Sequence, residues 1–223
     1  LIISGGNMEK KPEKLMDVAK IGAKGQIVIP KSMRDMFGLR PGDTLLLLAD
    51  GSRGIAMNKL DLITDAVGSY CQKHGITCEE IRIIRAEKGK PYICGTEKDV
   101  YCNVSHSGNM WICIVGEAEC GIDLQLVKDC KYEQLSRRYF TPEEQGYIRN
   151  FGINGFFRLW VRREAFGKYT GEGFYGEKPP FVDADGRLID TVCDGFLKDL
   201  PIADDIICTY CTGGEDDDIE FFF

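Results

Sequence analysis

One helical column of residues combines an aromatic ring, an acid and a base. Trp160, Glu164 and Lys168 lie four residues apart in FRLWVRREAFGKYTGEGF (157–174), and this spacing places them on one helix face. A solvated Glu–Lys pair, worth about 0.2–0.5 kcal/mol, would be an ordinary explanation of the acid and the base. Whether the column does chemistry depends on what other segments supply.

Two strand-like segments carry polar residues suited to ligand binding. In NVSHSG (103–108) a histidine, His106, stands among hydroxyls where we expect a polar loop to enter the apolar strand WICIV. In CGIDLQLV, strand alternation directs Asp123 and Gln125 to one face and Ile122 and Leu124 to the other. An acid and an amide oxygen side by side suit a hard cation such as Mg²⁺. A half-exposed strand with ordinary polar residues outward is the alternative.

The segment FTPEE has the pattern of a helix start. Thr141 supplies a capping hydroxyl, Pro142 fits the first helical position, and Glu144 reaches back to the amide of the cap. This capping box explains Glu144 structurally. A chemical role for Glu144 therefore needs a separate argument.

The composition is that of an ordinary globular protein. The 223 residues are 43% hydrophobic and 28% charged, which argues against a disordered chain. The densest apolar run, TLLLLA (44–49), is far shorter than the roughly 18 residues of a membrane span. The start LIISGGN lacks signal-peptide features, so we expect a cytoplasmic protein, without a membrane partner, whose ten cysteines are reduced thiols.

Charge divides the chain into two parts. Residues 1–60 contain ten Lys or Arg against six Asp or Glu, whereas the whole chain has a net charge of −7. The sequence therefore predicts a basic module at 1–60 and an acidic module at 61–223, with different partners.

The basic module reads as short β elements around one short helix. A strand Ile27–Ile29 ends at Pro30, the segment KSMRDMFG is a two-turn helix closed by Gly38, and TLLLLA and IAM are two further strands. A unit of this size encloses too little apolar surface to be stable alone. We therefore expect a second copy to cover it.

This module resembles the AbrB-like family of swapped-hairpin domains, through GQIVIPK, the short helix with its arginine, and the following GD and strand. The resemblance implies an intertwined homodimer, or a higher homo-oligomer, and possible DNA binding. The basic residues that it offers as phosphate contacts are Lys20, Lys24, Lys31 and Arg34. Solubilising charges on a module that only dimerises are the alternative.

The acidic module resembles the 4′-phosphopantetheinyl transferase superfamily, in its Sfp-type branch. The resemblance is carried by GKP, NVSHSG, GIDLQ, FTPEE and FRLWVRREAFGK, in this order. It implies an α+β fold with an antiparallel sheet. It also implies transfer of the phosphopantetheine arm of coenzyme A to a serine of an acyl, peptidyl or aryl carrier protein.

The resemblance also implies the roles of individual residues. The ligands of a magnesium ion held against the coenzyme A diphosphate would be Asp123, Gln125 and Glu164. Glu144 would be the catalytic base for the carrier serine, and Lys168 a catalytic contact to phosphate. The positions that would bind coenzyme A are Lys90, Pro91, Ser105, His106, Arg163 and Lys168. For the acidic carrier helix, the nearest basic candidates are Arg137, Arg138 and Arg158.

The sequence departs from the Sfp-type pattern in three places. Gln125 stands where an acid is usual, and Arg163 where a lysine is usual. Most of the family's first half is missing, since the helix LDLITDAVGSYCQKHG has no arginine and the AbrB-like module lies upstream of it. Two readings remain: an active oligomer in which a neighbour covers the exposed face, or a DNA-binding regulator whose degenerate transferase domain senses coenzyme A.

Overall fold

The chain divides into two units, residues 1–60 and 61–223. The computed structural model describes residues 15–43, 45–50, 54–59, 61–85, 91–108, 110–176, 178–214 and 218–223. Within these residues, no helix has both the length and the apolar character needed to cross a bilayer.

The first unit contains one short helix and one hairpin. Helix α1 (Lys31–Met36) is followed by Gly38 with φ +59°, the left-handed conformation expected just past a helix end. Strands β1 (Leu45–Asp50) and β2 (Gly54–Lys59) pair antiparallel. The predicted helix and the last two predicted strands are thus confirmed.

The predicted strand Ile27–Ile29 is wrong for the single chain. These residues have no strand conformation, and Ile27 and Val28 are exposed. A β-branched run becomes a strand only where another strand offers ladder partners, and no strand of the described part of this unit pairs with it.

The second unit alternates helices and antiparallel strands, which confirms the predicted α+β class. Its elements are α2 (Asp61–His74), β3 (Cys78–Arg85), β4 (Pro91–Thr96), β5 (Tyr101–Ser107), β6 (Met110–Gly116), β7 (Cys120–Leu126), α3 (Tyr132–Tyr139), α4 (Pro142–Thr170), β8 (Thr191–Val192), β9 (Gly195–Ala203), β10 (Ile206–Thr212) and β11 (Ile219–Phe222). They form sheets in the orders β7-β10-β9-β8, β11-β6-β5 and β3-β4.

Helix α4 packs against β7 and β10, and two apolar clusters lie on opposite sides of these strands. One cluster contains Phe156, Leu159 and Phe166 of α4, and the other contains Ile122 and Leu124 of β7. Cys211 belongs to the first cluster and Cys208 to the second. The CTYC cysteines therefore point to opposite faces of β10 and cannot share a metal ion. All ten cysteines are free thiols.

Strands β5 and β7 are joined by side chains. Three side-chain oxygens of β5 accept hydrogen bonds of 3.1 Å from amides of β7. The Ile122 amide donates to Asn103 Oδ1, the Leu124 amide to Ser105 Oγ and the Leu126 amide to Ser107 Oγ. The prediction that NVSHSG is a polar loop is therefore wrong: residues 103–107 lie in β5, and the turn begins at Gly108, with φ +63°. The alternating polar residues satisfy amides that would otherwise be buried without partners.

Helix α4 begins with the predicted capping box and contains a break. The Thr141 side chain accepts from the Glu144 amide, and the Glu144 carboxylate accepts from the Thr141 amide. At Gly152 the backbone leaves the helical region (φ +61°, ψ −143°), a conformation open essentially to glycine. The two motifs FTPEE and FRLWVRREAFGK thus belong to two segments of one broken helix.

Candidate active site

Asp123 of β7 is the centre of the polar cluster on the α4 side. It is 3% exposed, and its Oδ1 accepts from Ser105 Oγ and from Lys168 Nζ, both at 2.8 Å. Gln125 Nε2 donates to its other oxygen, Oδ2, at 3.2 Å. The predicted alternation of β7 is confirmed, but both faces of the strand are buried, so the half-exposed alternative is wrong.

Lys168 reaches Asp123 because α4 and β7 approach each other closely. An added Cβ on Gly121 would lie 2.2 Å from the Ala165 carbonyl oxygen and 2.4 Å from the Tyr169 amide, so only glycine fits at the crossing. Lys168 Nζ donates to the Ile122 carbonyl oxygen as well, at 2.8 Å. Lys168 is therefore a link between helix and strand, and the explanation by solvated surface charge is wrong for it.

The other members of the helical column lie on the same side of α4. Trp160 stacks on Phe174, with ring centroids 4.3 Å apart, and Tyr139 meets Trp160 edge-on. Glu164 lies between Trp160 and Lys168 on this face and is half-buried. The column therefore combines an aromatic platform with two ionic groups beside β7.

The donors predicted to hold magnesium have suitable chemistry. Asp123, Gln125 and Glu164 offer carboxylate and amide oxygens, the ligands that Mg²⁺ prefers. In the structure, both oxygens of Asp123 are already bonded to Ser105, Lys168 and Gln125. No group of three or more His, Cys, Asp or Glu in the described segments is arranged to hold a metal ion. The residue types fit the ion, but the cluster is closed by its own lysine and amide.

Glu144 is enclosed by the fold. It is 0% exposed; its Oε2 accepts from the Thr141 amide at 2.9 Å and lies 3.5 Å from Arg163 Nη2. Its Oε1 accepts from the Phe181 amide at 3.0 Å. Glu144 thus ties the start of α4 to the segment after α4. It sits in this structure as a cap and a cross-link.

Arg163 and Lys178 bring two buried cationic groups together beside this helix. The Arg163 guanidinium lies 5.2 Å from the Phe140 ring centroid, and burial holds its pKa below the usual range. Burial likewise lowers the pKa of Lys178, and Arg163 acts in the same direction. Arg163 Nε and Lys178 Nζ are both buried without a hydrogen-bond partner in the described structure, as is Arg162 Nε elsewhere on α4.

The other residues predicted to bind coenzyme A do not form one cluster. The Ser105 hydroxyl is engaged by Asp123 and the Leu124 amide, whereas neighbouring His106, the next residue of the strand, projects to the opposite face. Pro91 begins β4, and Lys90 lies outside the described residues. The structure therefore brings Ser105, Asp123, Gln125 and Lys168 together, with Glu164 on the same helix face as Lys168.

Two charged residues were missed by the sequence analysis. Buried Arg162 pairs with Asp190 at 2.9 Å and Asp199 at 3.0 Å, which anchors α4 to β9. Lys178 follows the glycine-containing segment TGEGFYG. Neither has a sequence signal beyond its type, because burial of a charged side chain is decided by segments distant in the chain.

The remaining basic candidates are mostly exposed. Arg137, Arg138 and Arg158 are exposed, and Arg158 is 3.6 Å from Asp199. In the first unit Lys20, Lys24 and Lys31 are exposed. Arg34, in contrast, donates to the Ile29 carbonyl oxygen, so it is already used in holding the turn before α1.

Comparison with known families agrees with both resemblances. Residues 18–57 match the family described as antidote-toxin recognition MazE, bacterial antitoxin. Residues 119–193 match the 4′-phosphopantetheinyl transferase superfamily. The latter region contains Asp123, Glu144, Glu164 and Lys168, so it includes the polar cluster apart from Ser105.

Curated relatives carry the same superfamily name. A 4′-phosphopantetheinyl transferase of Bacillus subtilis is 33% identical over 91 residues, which are 39% of this chain and 40% of the relative. The transferase Sfp of Bacillus subtilis strain 168 is 32% identical over 98 residues, 42% and 43% of the two chains. The transferase HetI of Nostoc is 29% identical over 120 residues, 50% and 49%. The matched region spans less than half of each of these relatives.

Proposed function

We propose that residues 61–223 transfer the 4′-phosphopantetheine arm of coenzyme A to a serine of an acyl or peptidyl carrier protein, in a Mg²⁺-dependent reaction. The observation that supports it best is the 2.8 Å contact of Lys168 with Asp123. This contact joins the GIDLQ strand and the FRLWVRREAFGK helix, two of the segments that carry the family resemblance. Both residues of this contact lie within the region that matches the superfamily.

In the proposed reaction, the serine oxygen bonds to the phosphorus that carries pantetheine. The diphosphate bridge breaks, adenosine 3′,5′-bisphosphate leaves, and the serine proton passes to a base. Asp123, Gln125 and Glu164 would hold the magnesium ion, which when bound neutralises charge on the diphosphate. Lys168 would move from Asp123 to phosphate, and Arg163 would add positive charge beside it.

Glu144 is the proposed base. To take the serine proton, directly or through a water, it must release its contacts to Thr141 and Phe181. Ser105, His106, Lys90 and Pro91 are proposed coenzyme A contacts. Exposed Arg137 and Arg138 would face the acidic carrier.

The proposed active form is a homodimer or a larger homo-oligomer. None of the residues 15–59 whose side chains are described is buried, and Val18, Ile21, Val28 and Phe37 are each more than 60% exposed. A unit without a core of its own needs a partner to remove this apolar surface from water. A second copy of the same unit is the partner implied by the resemblance. Sedimentation equilibrium of the full chain tests this step, and a monomer would contradict it.

The transfer reaction can be tested directly. The full chain is incubated with coenzyme A, MgCl₂ and an apo carrier protein, and the carrier is weighed for the added arm. Transfer should stop with EDTA and in Glu164→Gln, whereas Glu133→Gln, which removes an exposed acid of α3, should act like the wild type. An unchanged rate in a folded Glu164→Gln protein would refute the metal assignment. Failure with acyl, peptidyl and aryl carriers would refute the function.

A second candidate is a cytoplasmic DNA-binding regulator whose second unit senses coenzyme A. It is favoured by the exposed Lys20, Lys24 and Lys31 and by the antitoxin-type match. Phosphate contacts make binding fall steeply with salt. Salt-dependent retention of duplex DNA, lost in the triple Lys→Ala variant, together with no transfer to a carrier, would favour this candidate.

A further inference from the structure

Lys178 carries the charge that is least explained by the fold. Its Nζ is buried and has no hydrogen-bond partner in the described part of the chain. A buried ammonium without a partner costs several kcal/mol of solvation. The Phe166 ring centroid lies 5.9 Å from this ammonium, a distance at which the ring compensates only weakly.

The surroundings of Lys178 place this ammonium beside the Arg163–Gly167 column of α4, next to the column that holds Glu164 and Lys168. An added Cβ on Gly167 would lie 3.3 Å from Lys178 Cε, so the side chain crosses the helix at Gly167. Arg163 and Glu164 are one turn earlier on the helix, and both act electrostatically on Lys178. Lys178 therefore lies beside the residues already proposed to handle the diphosphate.

Arg163 supplies a second cation: its Nη2 lies 3.5 Å from Glu144 Oε2, but it keeps an unused donor. Arg163 Nε is also buried without a hydrogen-bond partner among the described residues. Arg163 and Lys178 repel each other, yet the fold keeps them adjacent. Two adjacent positive charges with unused hydrogen-bond donors form a binding site for an oxyanion, because a bound anion offsets their repulsion and accepts their hydrogen bonds.

Glu172 attracts Lys178 electrostatically but does not satisfy its ammonium. Glu172 lies on the same side, because an added Cβ on Gly176 would be 3.1 Å from both Glu172 Oε2 and Lys178 Nζ. Glu172 is exposed and makes no hydrogen bond to the ammonium. The rest of the Lys178 side chain is partly exposed, so the ammonium lies close beneath the surface and within reach of an anion arriving from solvent.

We propose that Lys178, together with Arg163, forms an oxyanion site that binds the diphosphate bridge of the nucleotide substrate. The assignment rests on the proposed transferase function for the identity of the substrate. It gives the proposed diphosphate site a cation from the segment after α4, beside Arg163.

Isothermal titration of the full chain with inorganic pyrophosphate tests the site without any need for transfer. We expect Lys178→Met to weaken pyrophosphate binding by roughly tenfold or more, and Lys178→Arg to retain most of the affinity. Lys128→Met, which removes an exposed lysine after β7, is the matched control and should bind like the wild type. The unliganded Lys178→Met protein should melt no lower than the wild type, because it has lost a buried unpaired charge.

Further arms identify the ligand and separate the two proposals. The affinity for coenzyme A should depend on Lys178, as the affinity for pyrophosphate does. The affinities for adenosine 3′,5′-bisphosphate and inorganic phosphate, which lack the diphosphate bridge, should not depend on Lys178. If the chain binds pyrophosphate through Lys178 but modifies no carrier, the transferase function is overturned and the oxyanion site stands. Equal pyrophosphate affinity in Lys178→Met and the wild type would overturn the site, even with transfer intact. If Lys178→Met does not fold, Lys178→Gln gives the same comparison.

Discussion

Replacement of Glu144 by alanine separates its structural contacts from its proposed role as the base. The change leaves the buried Phe181 amide without its acceptor and removes one half of the capping box. An unsatisfied buried donor costs about 1–3 kcal/mol, and the lost cap interaction costs about 0.5–1.5 kcal/mol. We expect a loss of about 3 kcal/mol in the free energy of unfolding.

The expected loss corresponds to a fall in Tm of about 6–12 °C for a unit of this size. It can be measured by circular dichroism during heating and by urea unfolding. Glu143→Ala is the matched control, because Glu143 is in the same first turn of α4 and is exposed. A Tm of Glu144→Ala within about 2 °C of that of Glu143→Ala would refute the importance of these contacts.

The near-isosteric Glu144→Gln then tests catalysis. A glutamine keeps the volume and one carbonyl acceptor, so it should remain folded at a temperature below its Tm. The proposed base role predicts a loss of roughly 10²–10⁴ in transfer rate per folded molecule. An unchanged rate per folded molecule would remove Glu144 from the chemistry and leave it as a cap.

Three further predictions concern contacts within the second unit. Gly121→Ala should destabilise the second unit by more than about 2 kcal/mol, because its Cβ would lie 2.2 Å from the Ala165 carbonyl oxygen. The control Gly146→Ala, at a helical position where the Cβ meets a side chain at 3.6 Å, should stabilise the unit by about 0.5–1 kcal/mol. In a double-mutant cycle of Asp123→Asn and Lys168→Met, urea unfolding should give a coupling of at least about 1 kcal/mol; additive losses would contradict the ion pair. Burial alone would raise the pKa of Glu220, but hydrogen bonds from Lys73 and His74 hold it below its usual value. This stabilisation is present above the unfolded pKa of Glu220 and is lost as pH falls through the folded value, so Glu220→Gln should flatten the acid limb of a Tm-against-pH curve.

Local sequence patterns were sufficient to predict several of the elements and to select the candidate residues. The capping box at Thr141–Glu144, the alternation of Asp123 and Gln125, the glycine after α1 and the helical column from Trp160 to Lys168 each depend on residues within a turn or two of one another. Short-range geometry decides such features, so they can be predicted from the chain alone. The two family resemblances rest on motifs of the same local kind.

The pairing of distant segments could not be predicted in this way. β5 is a strand because it pairs with β6, but the use of its polar side chains to bind amides of β7, about 19 residues away in the chain, has no local signal. Ile219–Phe222 pairs with β6 across about 100 residues, and Ile27–Ile29 has no strand partner among the residues that the structure describes. Strand formation depends on partners that the strand's own residues do not specify.

Burial, finally, was decided only by the tertiary structure. The sequence by itself determined that Asp123, Glu144, Lys168 and Lys178 are ionisable, and, for the first three, that they stand in motifs. Because α4 approaches β7 closely at Gly121, Lys168 reaches Asp123. The segment after α4 encloses Glu144 through the Phe181 amide, and the ammonium of Lys178, in the same segment, is buried. The charge of a side chain is a property of its residue type, but its solvation is a property of everything that packs around it.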